Sequence, residues 1–155
     1  MVEDEVMPGI EQDYVMRMIA ELAAFLRRVR DLVRLGRAQD ALDAIRDGCQ
    51  ALVGMDARVL ELLDARTLFG QLAPGKAGAA AALFAAQGDA WDSLGEPERA
   101  RGARRRALEL YLEMQLAGAP PDAAGVATAR ELLARFETRT LDGRQQRAAA
   151  LLRGE

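Results

Sequence analysis

Histidine is missing from this chain, lysine occurs once, at Lys76, and cysteine once, at Cys49. Without histidine there is no imidazole to act as a general base near neutral pH or to complete a zinc site. A lone cysteine closes no internal disulfide, which fits a reducing compartment. No apolar run approaches the roughly 18 residues of a membrane span. The opening "MVEDEVMPGIEQD" is acidic where a secretory signal is basic and then apolar. The expected location is therefore the cytoplasm. No glycine-rich phosphate loop, "GxSxG" elbow or "HExxH" occurs, so catalysis, metals and cofactors have no recognisable seat. Aromatic residues make up only 5% of the chain, and sheets favour β-branched and aromatic side chains.

What is present is alanine, leucine and arginine. The 155 residues suffice for one domain, and half of them are hydrophobic. This balance points to an all-α fold built from closely packed helices. The formal net charge is −3, which gives the whole molecule no attraction to nucleic acid or to an anionic membrane.

Periodicity divides the chain. From Asp13, the residues Val15, Met18, Leu22, Phe25, Val29 and Leu32 step by three and four along one face, with Tyr14, Ile19, Leu26 and Val33 as a second stripe. Asp13 is the expected cap and Gly36 the expected stop. A second helix follows from about Arg37 to Val53, with Ala38, Ala41, Leu42, Ile45, Cys49 and Leu52 inward. One or two short amphipathic pieces lie between Met55 and Leu72. After "APGK" an alanine-rich helix runs to Leu94, and another starts at Glu96 and Pro97. "AGAPPD" at residues 117–122 breaks the chain. Beyond it a C-terminal extension, residues 120–155, holds two further helical stretches, packed or partly mobile.

Two of these hairpins share a frame. The series Phe84, Gly88, Trp91, Gly95, Ala100, Ala107 resembles a tetratricopeptide repeat, although Arg104 stands where that family places a large apolar residue. An offset of 59 residues finds Phe25, Leu32, Gly36, Ala41 and Gly48 in the places of Phe84, Trp91, Gly95, Ala100 and Ala107. The offset exceeds the repeat length of about 34 residues, so a compact bundle is expected for residues 12–116 rather than a regular solenoid. "QDYVMRMI", "QGD" and "ALELYLE" also resemble a group of small uncharacterised bacterial helical proteins, a likeness that implies fold without function.

Two charge clusters compete as sites. Five arginines fall between Arg99 and Arg106, but helical geometry spreads them around the axis. They read as a solvated surface with stems laid over apolar neighbours. Arg27, Arg30 and Arg34 form a single stripe, and the corresponding helix of the second hairpin carries Asp89, in the place of Arg30, and Asp92. These five residues are the candidate partner-binding set, facing one another or sharing a groove for a charged peptide. Trp91 and Tyr14 are expected in the core, as is Cys49.

The functional expectation is a non-catalytic protein-interaction or scaffold protein that forms a homodimer, because the stripe from Tyr14 to Val33 is wider than one antiparallel partner covers. One alternative is a helical ligand carrier or enzyme with a cavity among the alanine-rich helices. Another is a weak nucleic-acid binder using the arginine-bearing helices.

Overall fold

A computed structural model describes residues 2–73 and 75–155, with side-chain surroundings from residue 12 onward. The chain forms α1 (Val2–Arg34), α2 (Ala38–Val53), α3 (Ala57–Leu62), α4 (Ala65–Gln71), α5 (Lys76–Ser93), α6 (Pro97–Leu116), α7 (Ala123–Arg135), a 3-10 turn (Thr138–Thr140) and α8 (Gly143–Arg153). No strand occurs among the described residues, and the fold is all-α. None of the helices searched is long and apolar enough to cross a membrane.

The local code for these boundaries is simple. Aspartate opens four helices, its carboxylate accepting from a backbone N–H of the first turn. Asp56 takes Arg58, Asp64 takes Thr67, Asp122 takes Gly125 and Asp142 takes Gln145. At α8 the bond is reciprocated, since the Gln145 side chain accepts from the Asp142 N–H.

The two long hairpins turn in the same way. In the first, the N–H groups of Leu35, Gly36 and Arg37 donate to the carbonyls of Asp31, Val33 and Leu32. In the second, those of Leu94, Gly95 and Glu96 donate to Ala90, Asp92 and Trp91. Every one of these bonds recurs at the offset of 59 residues that relates the two sequences. Gly36 (φ 76°) and Gly95 (φ 74°) adopt the left-handed conformation that such a closure needs.

The first helix does not begin at Asp13. It extends back to Val2, so Asp13 lies inside the helix and caps nothing. The stretch after Val53 resolves into two helices, and the C-terminal extension packs as α7 and α8 against α6. α6 is the centre of the molecule, touching α4, α5, α7 and α8, while α5 lies between α6 and α2 and also meets α1. Leu108, Leu110, Tyr111 and Leu112 on α6 are buried together with Ile45, Leu68, Phe84, Leu132 and Leu152 from the surrounding helices.

Small residues set the spacing. A Cβ on Gly88 would meet the Arg104 Cγ at 2.6 Å and the Ala100 carbonyl oxygen at 3.3 Å. A Cβ on Gly48 would meet the Phe25 ring at 2.8 Å. Ala41 and Ala100, partners in the repeated frame, are both fully buried.

Candidate interaction surface

The arginines of α6 are distributed among its neighbours. Arg99 lies 4.7 Å from the centroid of the Trp91 ring on α5. Arg101 and Arg105 lie 5.2 and 5.6 Å from that of Phe136, just past α7, and Arg105 also donates to the hydroxyl and carbonyl of Thr140, both at 2.8 Å. Arg106 lies over Phe84 and donates to the carbonyls of Leu60 and Leu63, the exposed-carbonyl end of α3. Burial lowers the Arg106 pKa from its ordinary value. These contacts join α6 to α3, α5 and the segment after α7. Glu113 and Glu109 extend the set to α8, through Arg144 at 3.2 Å and Gln145 at 3.3 Å.

Arg104 corrects the expectation of a solvated arginine face. It is 8% exposed, and its stem crosses Gly88, where the missing side chain leaves room. Its guanidinium donates to Asp89 at 2.8 Å and to Asp92 at 2.5 Å. Desolvation alone would lower its pKa, but the bonds to the two carboxylates outweigh it and the net shift is upward. An arginine is thus accommodated at this buried position because its stem packs and two acids on the facing helix receive its charge.

The candidate set divides accordingly. Asp89 and Asp92 are joined to Arg104 and not to the α1 stripe. Arg27 and Arg30 are exposed, and Arg34 pairs with Asp31 on its own helix. The five residues therefore form two separate groups, one an internal clamp between α5 and α6, the other a solvent-facing arc of α1.

Cys49 is buried as expected, its thiol donating to the Ile45 carbonyl, and burial pushes its pKa up to about 11. Trp91 is half-buried against the core beneath Arg99. Tyr14 departs from expectation, being 57% exposed. Between α2, α3 and α5 lies a cavity of about 10 Å³ lined by Ile45, Cys49, Leu60, Ala80 and Phe84. That is space for a single water at most, so the alanine-rich helix closes this gap rather than framing a ligand chamber there.

The surface that stands out is on α1. Leu22, Phe25, Leu26, Val29, Leu32 and Val33 form its inner face and pack on the core. The same face continues N-terminally through Tyr14, Val15 and Ile19, and there all three are half exposed or more. The reason is length. At about 1.5 Å per residue, the 33 residues of α1 run far past the 16 of α2. Sequence periodicity finds the stripe but not where its cover ends.

No protein-family model matches this chain, and no curated protein or solved structure matched it in comparison.

Proposed function

We propose that this chain is a non-catalytic protein-interaction protein that associates with itself through α1, and that its two long hairpins are of tetratricopeptide type. The observation carrying the first part is the uncovered continuation of the α1 inner face at Tyr14, Val15 and Ile19. A contiguous apolar face flanked by charge is characteristic of an interaction site, whereas isolated exposed apolar residues are not. The recurrence of turn bonds at Gly36 and Gly95 and the close approach at Gly88 support the second part.

The α6 arginines, whose chemistry first suggests nucleic acid, are engaged by Asp89, Asp92, Thr140, α3 carbonyls and aromatic rings. Light scattering at micromolar concentration is expected to give a dimer, and the double substitution Val15→Glu, Ile19→Glu a monomer with unchanged helix content, because neither side chain belongs to the core. A monomeric unmodified chain would refute the reading.

A further inference from the structure

The short helix α3 is held to the molecule quite differently from α4, which follows it at once. Its six residues are too few to be stable as an isolated helix, so it depends on what it lies against. Only Ala57 and Leu60 are buried, while Arg58, Val59, Glu61 and Leu62 face solvent, Leu62 at 83% exposure. Its main helix contact is with α2, whereas α4 rests on α6 with Leu68 fully buried. Both flanks of α3 are non-helical: Gly54 is left-handed at φ 80°, and Asp56 and Leu63 are extended. Met55 and Leu63, half-buried against the core, fix the two ends.

Beneath α3 lies the small gap between α2 and α5. Leu60 and Glu61 form one side of it, Ile45 and Cys49 the second, and Phe84 the third. The one thiol of the chain is thus shut in by α3, and the nearby charges of Glu61 and Asp56 add to the upward push that burial gives its pKa. Among the described residues, the only side-chain hydrogen bonds from another helix to α3 and its C-terminal cap come from Arg106, which donates to the carbonyls of Leu60 and Leu63. That attachment is incomplete. The Arg106 Nε is buried with no acceptor among the described residues, a cost of the closed position that contact with water removes.

We propose that α3 is a flap: residues 57–62 detach and unravel while the other helices stay packed, Arg106 is the latch, and opening governs when the Cys49 thiol meets solvent. This inference is independent of self-association through α1. Opening strips only two buried side chains, returns conformational freedom to six residues and hydrates a buried guanidinium. Closure is favoured by the two Arg106 bonds and by the burial of Leu60 over the gap.

The test follows the thiol of the full chain with dithionitrobenzoate at pH 8 and low urea concentrations, beside global unfolding read by circular dichroism. A buried, protonated thiol is inert, so labelling reports opening. A flap this short uncovers little surface, and below the unfolding transition the labelling rate is expected to rise far less steeply with urea than global unfolding does. Arg106→Met, which keeps a stem over Phe84, is expected to speed labelling without urea at least about fivefold, and Leu60→Ala at least about tenfold. Leu132→Ala, the same truncation on α7, lowers global stability yet leaves that rate within about twofold. Labelling that tracks global unfolding down to zero urea, or that Leu132→Ala speeds as much as Leu60→Ala does, overturns the flap. An unchanged rate in Arg106→Met overturns the latch.

Discussion

The two long hairpins share a turn and a spacing, yet one is buried in the middle of the molecule and the other lies at its edge. Phe84 is 4% exposed, sandwiched by the core and Arg106, whereas Phe25, its counterpart, is only half-buried beside Arg28. The second hairpin has α2 on one side and α4, α7 and α8 on the other. The first has α5 and, against α2, the short α3 beyond its own pair of helices. Equivalent local sequence therefore gives equivalent turns but not equivalent energetics, because burial depends on which elements come later in the chain.

That contrast can be broken most forcefully at the two phenylalanines. Phe84→Ala is expected to cost about 3–5 kcal/mol, because the surrounding helices cannot collapse into the space. Phe25→Ala should cost no more than about half of that, since α1 has solvent at its back. Urea unfolding of the two variants decides it, and equal losses would mean that the edge hairpin is as tightly held as the central one.

A smaller effect is expected at the α5–α6 clamp, which has no equivalent in the first hairpin. Replacing both carboxylates, Asp89→Asn with Asp92→Asn, leaves the buried Arg104 cation with weakened acceptors and should cost about 1–3 kcal/mol. Arg104→Met keeps a stem of similar shape over Gly88 and frees two acids that already reach water, so its cost should stay within about 1 kcal/mol. If the methionine variant proved the less stable, the charge and not the stem would be what this position supplies.

The smallest effect is silent at neutral pH. The Cys49 thiol has a pKa of about 11 in the folded chain against an ordinary 9.0, so the unfolded chain gives up its proton first. Its contribution to stability is full below pH 9 and is lost as pH rises through 11. Burial also raises the Tyr111 phenol above its ordinary value, in the same direction. Denaturant titrations at pH 8 and pH 10.5 should show Cys49→Ala losing less stability between the two than the parent. An identical loss would place the thiol in contact with water.

The helices themselves were legible because their signals are local. The turn glycines at residues 36 and 95 and the three-and-four spacing of Leu42, Ile45 and Cys49 each act within a turn or two, whereas the one cap expected from the sequence, Asp13, lies inside α1, and the caps at Asp56, Asp64, Asp122 and Asp142 come from the structure. The turn bonds that the two hairpins have in common are local in the same way. The α6 arginines were only half readable. Their divergence around the helix and the packing of their stems follow from sequence spacing, but the burial of Arg104 follows from a glycine and two acids on another helix.

Sequence alone determined that this protein is helical, where its hairpin turns fall and that α1 carries an apolar stripe, since each depends on neighbours within reach of one helix. Tertiary structure alone decided that Asp89 and Asp92 belong to Arg104 and that the stripe is covered at Val29 but bare at Tyr14. Both depend on where helices distant in the chain begin and end beside one another, and no short-range pattern of side chains encodes that distance.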